Sequence, residues 1–134
     1  PTGHEAWIGT TSEIFFSTAM DEKLNGNVWR CKVNDENPTL VYTGKRFMHV
    51  SVSRDGKYWI GDASEDGVPI YIGNFESGQC ERICLSRTEF DGKQWSHAHP
   101  YLTANNRWLI FGARRNGHPQ TYGAKLKDGW LDGL

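Results

Sequence analysis

At 134 residues and a formal net charge of −1, the chain has the size of one ordinary domain and no electrostatic bias toward nucleic acid or an anionic membrane as partner. Its 15 Gly, 6 Trp, 5 Tyr and 6 Phe, without long apolar runs, favour many short strands and tight turns over helices. No window approaches the roughly 20 apolar residues that span a bilayer, and no basic stretch followed by an apolar core opens the chain.

Strands are predicted over His4–Ile8, Glu13–Thr18, Val28–Val33 and Thr39–Tyr42, separated by a Thr10-Thr11-Ser12 turn and a polar loop containing Asn25-Gly26-Asn27. A second series starts at His49 with Val50-Ser51-Val52-Ser53. It continues through the turn Arg54-Asp55-Gly56-Lys57 into Tyr58–Asp62, Ile70–Asn74 and Cys80–Leu85. A third starts at His99, with strands at Pro100–Thr103, Trp108–Gly112 and Thr121–Leu126 and the turn Ala104-Asn105-Asn106-Arg107. His118, in the run Gly117-His118-Pro119, reads as a solvated loop residue.

The three cysteines, Cys31, Cys80 and Cys84, make an odd set with no CxxC pair. One disulfide could join Cys80 to either partner, but a reduced, cytoplasmic chain with three small apolar thiols is the simpler reading. The chain opens at Pro1-Thr2-Gly3-His4 without Met, as expected of a piece of something longer.

His4 and His49 are 45 residues apart and His49 and His99 are 50 apart, and each interval holds strand, turn, aromatic strand, loop and a further strand with a central aromatic (Trp29, Tyr71, Tyr122). Such a period, with about four strands per unit, predicts an all-β protein made of β-propeller blades. The expected domain is 1–134, a partial propeller with blades at approximately 4–47, 48–90 and 97–127. A single antiparallel sandwich would explain the strands but not the recurring order. Three blades cannot close a ring, so the fragment is expected to belong to a larger propeller.

The stretch Gln94-Trp95-Ser96-His97-Ala98-His99-Pro100 carries the chemistry. Read as a strand, it sends His97 and His99 to one face with Gln94 just upstream, a chelating arrangement suited to a cation of intermediate hardness such as Mn²⁺ or Fe²⁺. An isolated HxH pair is as often a surface feature or a hydrogen-bonded pair. The other histidines shift the balance, since His4, His49 and His99 each stand at the entry to the first strand of a blade, where first strands line the central channel. Trp7, Trp95 and Tyr101 could stack on sugars but read more readily as blade core.

Three elements in this order, Gly3-His4-Glu5-Ala6-Trp7, His49-Val50-Ser51-Val52-Ser53-Arg54-Asp55-Gly56 followed by Gly61-Asp62, and Gln94-x-x-His97-x-His99-Pro100, resemble the oligogalacturonate lyases, seven-bladed propeller enzymes of pectin breakdown. The resemblance implies Mn²⁺ held by His49, Gln94, His97 and His99, with His4 as the base that takes a proton from the substrate. It also implies short galacturonate oligomers as substrate, cut by β-elimination to an unsaturated uronate. The third turn departs from the Pro-Asp-Gly-Lys that relatives tend to carry. Two other classes remain: a non-catalytic TolB-like propeller used as a binding scaffold, and a zinc hydrolase. Against hydrolysis, the acids nearest the motif in sequence are Glu89 and Asp91, and neither stands beside it.

Overall fold

The computed structural model describes residues 2–89 and 93–134. Among them, eleven strands form three antiparallel sheets. The first sheet holds β1 (Thr2–Trp7), β2 (Glu13–Asp21), β3 (Gly26–Lys32) and β4 (Thr39–Tyr42), and the second β5 (Phe47–Val52), β6 (Tyr58–Ala63), β7 (Pro69–Asn74) and β8 (Cys80–Leu85), each in sequential order. The third holds β9 (Tyr101–Leu102), β10 (Trp108–Arg115) and β11 (His118–Lys125), with β10 central. These are blades of a β-propeller.

The third blade has three strands among the described residues, matching the three predicted at Pro100–Thr103, Trp108–Gly112 and Thr121–Leu126. After β11 the chain turns inward instead of adding an edge. Leu126 and Leu134 are buried, and Trp130 and Leu131 pack against the same core. Tyr58 donates its hydroxyl hydrogen to the Leu131 carbonyl at 3.1 Å, and Asn74 donates from Nδ2 to the Leu134 carbonyl at 2.8 Å. Four apolar side chains in nine residues gain more by covering the core than an exposed edge strand would offer. His118 opens β11 and is exposed, so it is a strand residue rather than a loop residue.

The central strand of the middle blade is buried on both faces, since all six residues of β6 are buried. Side chains alternate across a strand, and the two faces feed two cores. Trp59, Ala63 and Tyr71 pack toward the first blade with Ile8, Phe15, Val28 and Phe47. Tyr58, Ile60, Ile70 and Ile72 pack toward the third with Leu102, Leu109, Phe111 and Ala113. Phe47 meets Trp59 edge to face, ring centroids 5.1 Å apart, a geometry that adds about 0.5–1.5 kcal/mol beyond area burial. Cys80 and Cys84 join the margins of these two cores as half-buried free thiols, and burial pushes the Cys80 thiol up to about 12.

The turns that close the inner hairpins of blades two and three are built alike. Ser53 and Tyr58 pair through backbone, as do Thr103 and Trp108, and in each case the third residue's side chain (Asp55, Asn105) caps the turn. The left-handed position falls to Gly56 (φ 75°) in one and to Asn106 (φ 55°) in the other. Asparagine tolerates that conformation, which is why Ala-Asn-Asn-Arg serves as well as an Asp-Gly turn. The Asn106 amide also donates to Asp55 at 2.8 Å, tying the two blades together.

Candidate metal centre

Blade entry strands bring the histidines together, and both β1 and β5 carry an irregularity where they do so. The β1–β2 register shifts between Thr2 and Glu5, around His4, and the β5–β6 register shifts between Phe47 and His49. The extra residue in β5 is Met48, whose carbonyl accepts a hydrogen bond from His4 Nδ1 at 3.0 Å. Bulges that re-aim side chains recur beside functional sites. His4 is exposed, and its ring centroid lies 4.5 Å from that of His49.

His49 is the hub. It is 5 % exposed, with ring centroids of His99, His4 and His97 at 4.0, 4.5 and 4.8 Å from its own. Directly across the ladder stands Asp62, fully buried, which accepts the His49 backbone N–H at 2.8 Å and its ring Nδ1–H at 2.9 and 3.1 Å. A carboxylate that accepts from Nδ1 leaves the lone pair of the neutral ring on Nε2.

The stretch that carries His97 and His99 is not a strand. Gln94–Ser96 form one turn of 3-10 helix, and His99 is left-handed at φ 42°, a conformation costly for a non-glycine residue. Both rings nevertheless reach His49, because the backbone around them is pinned. Ser96, fully buried, bonds back to the Lys93 carbonyl through both N–H (3.0 Å) and Oγ (2.6 Å), and its own carbonyl accepts from Thr88 Oγ1. Gly112 donates its N–H to the Ala98 carbonyl at 2.7 Å, and Ser51 Oγ donates to the Pro100 carbonyl at 2.6 Å. The segment runs along the edge of β10 in place of a longer inner strand.

His97 Nδ1 lies 2.9 Å from His49 Nε2. Since the latter holds the lone pair, His97 is the donor in the metal-free molecule. The bond lies at the separation of two neighbouring ligands of one ion, because bonds of about 2.0–2.2 Å set adjacent donor atoms about 3 Å apart. One donor atom each from His4, His49 and His99 also lies within 4.8 Å of the others. An all-imidazole set backed by a buried carboxylate fits a divalent first-row cation, and the Asp–His pair is the outer-shell arrangement that orients metal-binding histidines. Burial, and next the neighbouring His49 ring, hold the His99 imidazole below the ordinary histidine value, toward the neutral form that can ligate.

Of the five residues singled out in the sequence, the structure brings His4, His97 and His99 into ring contact with His49, and His99 into contact with His4 and His97 as well. The Gln94 side chain lies outside the described residues. His4 stands in contact with the cluster, its ring centroid 4.5 Å from that of His49 and 5.8 Å from that of His99. Two further corrections concern residues around it. Trp7, Trp95 and Tyr101 are not blade core: they are 60 %, 59 % and 50 % exposed. An acid does stand at the cluster: Asp62, distant from the Gln94–Pro100 motif in sequence, where it is only the end of the Gly61-Asp62 element. The signal for it is the pairing of His49 with Asp62 across the hairpin closed by the turn Arg54-Asp55-Gly56-Lys57.

No protein-family model matches the chain. The oligogalacturonide lyase of Pectobacterium atrosepticum is 24% identical over 147 residues, a match that covers 93% of this chain and 37% of that protein. The chain thus spans little more than a third of that relative. Among solved structures, TolB from Acinetobacter baumannii superposes with a TM-score of 0.74 at 20% identity, over 96% of this chain and 31% of that one. An oligogalacturonate lyase in complex with manganese superposes with a TM-score of 0.57 at 18% identity, over 96% and 49%. The chain therefore has weak sequence similarity to oligogalacturonide lyase and shares the propeller fold with both.

Proposed function

We propose that this chain carries the proton- and cation-handling centre of an oligogalacturonate lyase, an enzyme that cleaves short α-1,4-linked galacturonate oligomers by β-elimination to an unsaturated uronate. The observation that carries the reading is the buried Asp62–His49 pair, which presents the His49 Nε2 lone pair where His4, His97 and His99 converge. Asp62 holds the His49 strand and its ring together, and the ring bond is the part that serves a ligand. The similarity to the Pectobacterium enzyme across nearly the whole chain supports the same reading.

His49, His97 and His99, with Gln94 as a fourth donor, are the residues proposed to hold Mn²⁺ or another divalent cation. When bound, such a cation supplies Lewis-acid stabilisation of the charge that builds on the uronate carboxylate as the C5 proton leaves. His4 is the proposed base. Because its Nδ1–H donates to the Met48 carbonyl, its lone pair sits on Nε2, and the same carbonyl steadies the imidazolium once the proton has moved. Asp62 keeps the His49 ring in one tautomer throughout.

Manganese titration followed by ultraviolet absorbance of the unsaturated product tests the reading. Tight Mn²⁺ binding together with product formation from digalacturonate by a longer protein containing this segment supports it. Failure to bind a divalent cation would instead favour a TolB-like binding module.

A further inference from the structure

Three of the four clustered imidazoles, His4, His49 and His99, are fastened unequally. His49 is buried and doubly held by Asp62, through backbone and ring. His99 is fixed by a backbone clamped on either side, at Ala98 by Gly112 and at Pro100 by Ser51. His4 is exposed at the strand entry, and the hydrogen bond that holds its ring goes to the Met48 carbonyl. Yet its donor atom is within ligand reach of the other two, at most 4.8 Å from either. Metal bonds of about 2.2 Å place donor atoms no more than about 4.4 Å apart, so small side-chain movements close the set.

A carbonyl only accepts hydrogen bonds, so His4 Nδ1 is protonated and a single lone pair, on Nε2, is left for all other chemistry. That lone pair cannot ligate a cation and take a proton at once. The geometry points to two successive roles for His4: cation ligand in the absence of substrate, then base after the substrate's carboxylate has replaced it. This rests on the lyase reading above and adds to it how the base is held and released. The exchange breaks one dative bond from Nε2 and forms one from a carboxylate oxygen. His4 Nε2 then accepts the C5 proton, the C5–H pair becomes the C4–C5 double bond, and the 4-oxygen leaves with its bonding pair and takes a proton from solvent. The most weakly fastened of these three is the one that must move, and the arrangement keeps the base idle until an acidic sugar arrives.

The test is a count of imidazole nitrogens on Mn²⁺ by pulsed electron paramagnetic resonance. It compares the wild-type chain, His4→Ala and, as a control away from the cluster, His118→Ala, each with and without galacturonate, which lacks a glycosidic leaving group. With Mn²⁺ alone, the wild type and His118→Ala should show one more imidazole than His4→Ala. The His4→Ala affinity should fall at least the ~10-fold typical of losing even an outer-shell partner. With galacturonate added, the counts should become equal. Equal counts before the sugar is added would remove His4 from the ligand set and overturn the proposal while leaving the lyase reading intact. A wild-type count unchanged by galacturonate that demonstrably binds would overturn the displacement. A wild type that binds neither Mn²⁺ nor galacturonate would sink the lyase reading itself. His4→Gln, close in size to the native residue, serves in place of His4→Ala if that variant fails to fold.

Discussion

Asp62 lies directly opposite His49 on the β5–β6 ladder and accepts both the backbone and the ring hydrogen of that one residue, at 2.8 and 2.9 Å. A single carboxylate thus fixes the strand and the imidazole together. Asp62→Asn keeps the size but replaces one acceptor oxygen with a donor facing another donor. Mn²⁺ affinity should fall about 10- to 100-fold, the usual effect of losing an outer-shell partner. Stability should fall by about 1–3 kcal/mol, because a buried N–H is left without a partner. Metal titration and denaturant melts check both, and an unchanged affinity would mean that the His49 ring needs no holding.

The pH dependence of the metal-free chain should carry the signature of His99. Burial first, and then the adjacent His49, hold its folded pKa below the ordinary 6.5. The folded protein therefore binds fewer protons than the unfolded chain between those two values, and stability rises with pH there. The contribution is fully present above about pH 6.5 and is lost as pH falls through the folded pKa. Denaturant midpoints of chelator-treated protein, measured from pH 7.5 downward, should fall more steeply for wild type than for His99→Gln. Parallel curves would show that His99 is not the group responsible.

Trp95 is the exposed aromatic nearest the site in sequence, two residues before His97, with the Lys93 ammonium 5.0 Å from its ring centroid. A flat apolar face beside a cation suits a uronate ring. Trp95→Ala should leave Mn²⁺ affinity unchanged and weaken binding of galacturonate oligomers about two- to tenfold, the equivalent of a stacking contact of ~0.5–1.5 kcal/mol. Calorimetry with trigalacturonate checks it, and undiminished binding would return Trp95 to the status of an ordinary surface residue.

The strands were legible because alternation and turn chemistry are local. Even the Asn106 turn, which departs from the family pattern, obeys the same rule as Gly56. The site was legible as a set of histidines but not as a geometry. Reading Gln94–Pro100 as a strand puts His97 and His99 on one face by alternation. They come together instead through a 3-10 turn, a left-handed His99 and clamps from Thr88, Gly112 and Ser51, all non-local. Asp62 reaches His49 through the ladder and not through nearness in sequence, in the register set by the Asp55-Gly56 turn, with the Met48 bulge lying beyond the pair.

The clamps themselves can be separated experimentally. A Cβ added at Gly112 would lie 3.0 Å from the His97 carbonyl, tight enough that the His97 backbone must give by a few tenths of an ångström. That displacement acts directly on the ring that meets His49 Nε2 at 2.9 Å. Thr88 works further back: its hydroxyl donates to the Ser96 carbonyl and accepts the Arg114 N–H at 2.9 Å, in a side chain with 8 % exposure. Thr88→Val is close in shape but removes both of these hydrogen bonds, and should cost about 1–3 kcal/mol. Gly112→Ala should therefore lower Mn²⁺ affinity severalfold with a small change in melting, whereas Thr88→Val should lower stability clearly and affinity as a consequence. Measuring affinity and denaturant midpoint for each variant decides the matter. If Gly112→Ala shifts the midpoint but leaves affinity untouched, the close approach of β10 to the histidine segment is packing alone and does not position His97.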